Sequence, residues 1–194
     1  MSLQAELIAV IQEALARADE PAEEHGERIP VPSVQQQTGW TCGPAALMAV
    51  TRYFQVFDGS EADMIALLQS TPEGGTPPDH MVAGTRKLGL EAWGVRGMTI
   101  DQLEEYLEDG YPVIVCLQAW GSPEGYEALE SGHWVVAMGA GEDRIYFEDP
   151  ELEPNERGYI PREEFDHRWQ DKDEDGKLYY HYGIVFKGAR WVAR

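Results

Sequence analysis

Apolar residues recur at helical spacing from the start of the chain. Leu3, Leu7, Ile8, Ile11, Ala14 and Leu15 fall on one stripe and predict an amphipathic helix. The stripe is expected to bury against the body of the protein, with a homodimer through this helix as the alternative. Ala18 to Gly26, with Pro21 and a set of acidic residues, predicts a solvated linker. Arg28 to Val34 contains Pro30 and Pro32 and must run extended. Gly39 and Gly43 permit a tight loop, and Pro44 suits the first turn of a helix. Ala45 to Tyr53 is apolar on nearly every face, which predicts a centrally buried helix.

The next elements are marked by their ends. Ser60 with Asp63 forms a capping-box pattern ahead of a helix over Glu61 to Leu68. Thr71 to Pro78 reads as a loop. Asp79 to Leu88 reads as a helix closed by Gly89. Leu90 to Val95 is a strand candidate. Thr99 with Gln102 caps a helix that runs to Glu108 and stops at Gly110. From Pro112 the periodicity changes. Val113 to Leu117 and His133 to Met138 are short, continuous apolar runs, as in buried strands. Arg144 to Phe147 follows across a hairpin turn at Gly139 to Asp143, and Leu178 to Phe186 reads as a last strand. Helices first and antiparallel strands afterwards predict an α+β domain. The expected division is an N-terminal helix and acidic linker over 1–27, then one domain over 28–194.

Composition narrows the classes. A hydrophobic share of 43% with 26% charged residues is that of a folded globular protein. The formal net charge of -20 repels phosphate backbones and anionic lipid, so neither nucleic acid nor membrane is an expected partner. Solubility is the plain reading of that charge. A negative cleft selecting cationic peptides is the alternative. Two cysteines, Cys42 and Cys116, are too few for a secreted disulfide framework. The first residues lack a basic region followed by an apolar run, so a signal peptide is not expected. No stretch approaches ~18 uninterrupted apolar residues. Free thiols and a cytoplasmic location are the expectation.

The candidate chemistry lies in four residues. A thiol attacks as thiolate, and the unpaired N–H groups and dipole of a helix N-terminus favour that form. The Gly43-Pro44 step places Cys42 at such a start, although a free Cys is often only a small buried hydrophobe. His133, between Gly132 and Trp134 at the head of an apolar strand, could be held as a general base or be structural. Asp149, one strand later and before Pro150, could fix an imidazole tautomer or merely initiate a turn. Gln36, six residues before Cys42, could curl back so that its amide and the Cys42 N–H form an oxyanion hole. With Gln35 and Gln37 beside it, it could also belong to a polar loop triplet.

Together and in this order, Gln36-x5-Cys42-Gly43-Pro44-Ala45, Gly132-His133-Trp134-Val135-Val136 and Asp149-Pro150 resemble the C39 peptidases and their C39-like relatives, over residues 28 to about 187. The sixteen-residue step from His133 to Asp149 also fits that family. The resemblance implies a papain-like cysteine peptidase fold, with a helical half carrying the nucleophile and an antiparallel sheet half carrying His and Asp. It implies a thiol hydrolase acting on peptide or isopeptide bonds of a peptide or protein substrate, with no cofactor. Well-known C39 domains are fused to transporters and cut leaders after a double glycine. These 194 residues include no transporter, so that substrate is not carried over. An acyl or peptidyl transferase with the same residues is a rival reading, and a catalytically silent peptide-binding module is another.

Two further features bear on metal binding. Asp171-Lys172-Asp173-Glu174-Asp175-Gly176 matches the first half of a calcium loop, but its twelfth position is Tyr182 rather than a bidentate Glu. An acidic hairpin that binds calcium weakly or not at all is expected. His25, His80, His167 and His181 show no zinc-ligand spacing, and Cys116 is expected to be a buried strand residue.

Overall fold

The structure, a computed structural model, describes residues 28–153 and 158–188. The helix and linker expected over 1–27 lie outside the described residues. Helix α1 spans Cys42–Tyr53, and every residue from Gly43 to Thr51 is buried. Such a helix has no solvent face, so its one interior hydroxyl must be paired. Thr51 Oγ1 donates back to the Leu47 carbonyl at 2.8 Å. Helix α2, Glu61–Leu68, carries both halves of the expected capping box between Ser60 and Asp63. Helix α3 spans Pro78–Lys87 with proline in its first turn, where the missing N–H costs nothing.

Strand β1 is Glu91–Val95. Helix α4, Ile100–Glu108, has the expected Thr99–Gln102 capping box. Strand β2 is Val113–Gln118, buried throughout, and is followed by a short helix α5, Pro123–Tyr126. Strands β3, Gly132–Ala140, and β4, Arg144–Glu148, form the expected hairpin. Four elements were not foreseen: α5, β5 at Gly158–Pro161, helix α6 at Arg162–Arg168 and β6 at Gln170–Lys172.

The expected last strand over Leu178 to Phe186 is two strands. Strand β7, Leu178–Tyr180, pairs only with β6, while β8, Gly183–Lys187, enters the main sheet. His181 between them takes a left-handed backbone with φ 44°, a conformation that redirects the chain. The break is fixed by packing. His181 stacks on the fully buried Trp169 at 4.9 Å, and Trp169 Nε1 donates to the Tyr182 carbonyl.

The main sheet has the order β1-β8-β2-β3-β4-β5 with every neighbouring pair antiparallel. The C-terminal strand is thus inserted between β1 and β2, with Ile184 opposite both Gly94 and Ile114. Helix α1 packs on β3, and α3 packs on β1. One hydrophobic core joins the helices to the sheet, and the start of α1 faces the end of the sheet where β3 begins.

Candidate active site

Cys42 is the first residue of α1. Its N-cap, Thr41, turns its hydroxyl to the Thr38 carbonyl at 3.1 Å and makes no side-chain cap to the helix. The first turn therefore presents its N–H groups without a side-chain acceptor, the polarity that suits an anion. Gly43 allows the close approach of the facing loop. A Cβ there would lie 2.4 Å from Thr76 Oγ1, so the residue after Cys42 must be glycine for packing rather than for a turn.

His133 is the second residue of β3 and is only 3% exposed. Asp149 directly follows β4. Because β3 and β4 are antiparallel with Val136 opposite Glu148, the chain past Glu148 runs back toward the head of β3. There Asp149 Oδ1 sits 2.7 Å from His133 Nε2 and also accepts the Glu151 N–H at 2.9 Å. The Cys42 thiol at the head of α1 acts on the same imidazole, raising it together with Asp149. Burial works to keep His133 neutral, but the hydrogen bonds and charges of Asp149 and Cys42 outweigh it and push the imidazole up to about 10. Burial alone would raise the Asp149 carboxyl; the His133 bond reverses this and holds it below the usual carboxylate range. The arrangement thus favours a proton on the His133 ring beside the Asp149 carboxylate.

Gln36 is tied to the same junction by its backbone, whose N–H donates to the Pro150 carbonyl at 2.9 Å. Its side chain turns to its own loop. Nε2 donates to the Thr38 carbonyl at 2.9 Å, and Oε1 is buried without a hydrogen-bond partner. The structure brings Cys42, His133 and Asp149 together, with Gln36 on the adjoining loop. Cys116 is buried in β2, and its thiol donates to Asp171 Oδ2 at 3.0 Å.

Three residues of this region were not singled out by sequence. Trp120, just beyond β2, lies 5.6 Å from the His133 ring and is 56% exposed. An aromatic after a strand carries no signal of such a position. Glu148 is fully buried, and its Oε1 accepts the Val34 N–H at 3.0 Å, tying the extended lead-in to β4. Asp171 lies in the acidic run. That run forms the expected hairpin, β6–β7, in which Asp173 accepts the Lys177 N–H and the Tyr179 hydroxyl.

Two recesses flank the site. A cavity of about 540 Å³ is lined by Cys42, Thr76, Gly132, Trp134, Asp171 and Tyr179, among others. A smaller one of about 270 Å³ lies against His133 and Asp149, with Trp120 and Tyr159 at its wall. Among the described residues no helix is long and apolar enough to cross a membrane.

The same architecture occurs in solved structures. A double glycine motif protease from an AMS/PCAT transporter, solved with its leader peptide, matches at 22% identity and TM-score 0.60 over 87% of this chain and 98% of its own. The peptidase domain of Streptococcus ComA, a bifunctional ABC transporter of a quorum-sensing pathway, matches at 22% identity and TM-score 0.61 over 82% and 99%. A Bacillus anthracis protein described as C39-like matches at 15% identity and TM-score 0.62 over 85% and 100%. A search of curated proteins returns no match. These likenesses show the fold, a mixed helix and antiparallel sheet arrangement of the C39 papain-like kind. Residues 28–175 match the Peptidase_C39 like family, and the chain belongs to that family.

Proposed function

We propose that this protein is a cysteine peptidase that opens peptide or isopeptide bonds through Cys42, His133 and Asp149. The observation that carries the reading is a buried imidazole that has a carboxylate at 2.7 Å and is also raised by the thiol at the head of α1. The three residues come from a helix start and the ends of two strands. The proton on the His133 ring is the one Cys42 gives up, and the resulting thiolate attacks the substrate carbonyl carbon. The carbonyl oxygen gains the negative charge and meets the Cys42 N–H and the Gln36 amide, which has a second N–H beyond the one given to Thr38. The imidazolium then protonates the leaving amine as the C–N bond breaks. A water loses its proton to His133 and attacks the thioester carbonyl, and the departing sulfur leaves the acid product. Asp149 keeps the ring oriented and stabilises its charge. A structural relative was solved with a leader peptide, and that likeness supports a peptide as the substrate.

A peptide-based electrophilic probe and a pool of fluorogenic peptides test this. The wild type should label and turn over, and Cys42→Ala should do neither. His133→Ala should lose about 10²–10⁴ in rate, and Gln36→Ala about 10²–10³ in kcat. Absence of both labelling and turnover in well-folded wild type would remove the peptidase reading and leave a peptide-binding module.

A further inference from the structure

The 540 Å³ cavity beside Cys42 has a second feature that its proposed chemistry does not use. Asp171 stands in its wall, and its carboxyl is held by neutral donors only. Gln118 Nε2 donates to Oδ1 at 3.1 Å, and the Cys116 thiol donates to Oδ2 at 3.0 Å. Gln118 is itself fully buried and fixed from its other end by the Ser131 N–H and hydroxyl. Asp171 is therefore positioned by a built support rather than by chance. Gly132 is part of that support, since a Cβ there would lie 2.2 Å from Asp171 Oδ2. Gly132 and His133 face opposite sides of β3, and the link to the proposed site is Cys42, which lines the same cavity as Asp171.

No Lys or Arg among the described residues forms an ion pair with Asp171. Its sequence neighbour Lys172 turns to the Ala128 carbonyl at 3.2 Å. Asp171 is thus a partly buried carboxylate with no direct ion pair, its lost hydration offset only by the more distant charge of Lys172. Burial accordingly raises the Asp171 carboxyl above its ordinary range. The rest of the wall has the same sign. Glu73, Glu130, Asp173, Glu174 and Asp175 line it beside the single Lys172. The cavity's volume is that of a site for a side chain or small ligand.

We infer that Asp171 is the floor of a specificity pocket that takes a Lys or Arg side chain of the peptide substrate, close to the bond that is cleaved. The inference rests on the peptidase reading for its placement beside the scissile bond. An ammonium or guanidinium entering the cavity supplies the direct ion pair that Lys172 does not form. It exchanges its own water for a carboxylate already desolvated and oriented by Gln118, which makes the pairing more selective than a surface contact.

The test uses fluorophore-labelled octapeptides in a Gly/Ala background, each with one Arg at one position, against the same peptides carrying Gln there. Binding is measured by anisotropy to Cys42→Ala, so that no turnover is needed, and cleavage is measured with wild type. At one or two adjacent positions Arg should bind about tenfold tighter than Gln, the scale of one charge-assisted hydrogen bond. Asp171→Asn should erase that ratio, Asp171→Glu should retain part of it, and Asp109→Asn, which removes the same charge from the exposed end of α4, should leave it unchanged. Equal affinity for Arg and Gln peptides in the parent protein would overturn the inference without any Asp171 variant. So would an Arg preference that is the same at every position or is indifferent to Asp171, because the net charge of the whole chain would then explain it. A missing Cys42-dependent label with an intact Arg ratio would sink the peptidase reading alone.

Discussion

Asp149→Asn is the most informative single change, because it removes a charge and keeps the shape. The Asn Oδ1 can still accept both the His133 Nε2–H and the Glu151 N–H that Asp149 accepts. What disappears is the negative charge beside an imidazole that is 3% exposed. In the parent protein His133 is pushed to about 10 against an ordinary 6.5, although burial works in the opposite direction. Without the carboxylate, burial gains ground and the His133 midpoint should fall by about two units or more. At about 1.4 kcal/mol per unit, the variant should lose on the order of 3 kcal/mol at pH 6, in the range for breaking a buried pair. The pH dependence has a definite sign. His133 has a raised folded value, so its contribution is fully present below about 6.5 and is lost as pH rises through about 10. Asp149 has a lowered value, so its contribution is present above the ordinary carboxylate range and is lost as pH falls through the lowered one. The gap between parent and variant should therefore be widest between about pH 5 and 6.5 and should shrink toward pH 10. Urea unfolding at pH 6 and pH 10, with an NMR titration of the His133 ring, measures both quantities. An unchanged His133 midpoint in the variant, or a stability gap independent of pH, would refute the reasoning.

Cys42 and Cys116 should differ sharply toward iodoacetamide. Cys116 is 4% exposed, and burial together with the Asp171 charge and hydrogen bond raises its thiol well above the ordinary range. In folded protein at pH 7, mass spectrometry should find Cys42 alkylated and Cys116 intact, and His133→Ala should slow Cys42 labelling about tenfold or more; equal labelling of the two would contradict the assignment of nucleophile. Gly43→Ala should cost about 1–3 kcal/mol by urea midpoint, since its Cβ would press on Thr76 Oγ1. Combining it with Thr76→Gly should recover part of that loss, and strictly additive effects of the two changes would show that this contact is not the cause.

The sequence by itself determined the elements whose signals are local. The capping boxes at Ser60–Asp63 and Thr99–Gln102 each need only four residues, and both helices start where those boxes place them. The apolar runs of β2 and β3 were legible because a strand covered on both sides is apolar over most of its length, with polar residues here only at the end of β2 and the head of β3. The order of Gln36, Cys42, His133 and Asp149 pointed to one family, and the match over 28–175 shows it. Tertiary structure alone decided the rest. The chain from Leu178 to Phe186 looks like one strand because its β-propensity is continuous. It is two because the buried Trp169 stacks on His181 and takes the Tyr182 carbonyl, contacts that no window of neighbouring residues contains. The insertion of β8 between β1 and β2 is likewise set by burying Ile184 and Val185 against strands about seventy to ninety residues earlier. The same folding-back turned an acidic run into the wall of a cavity. Asp171 reaches that wall only because Gly132 lacks a side chain and because Gln118, fifty-three residues before it, is buried and hydrogen-bonded to hold it there.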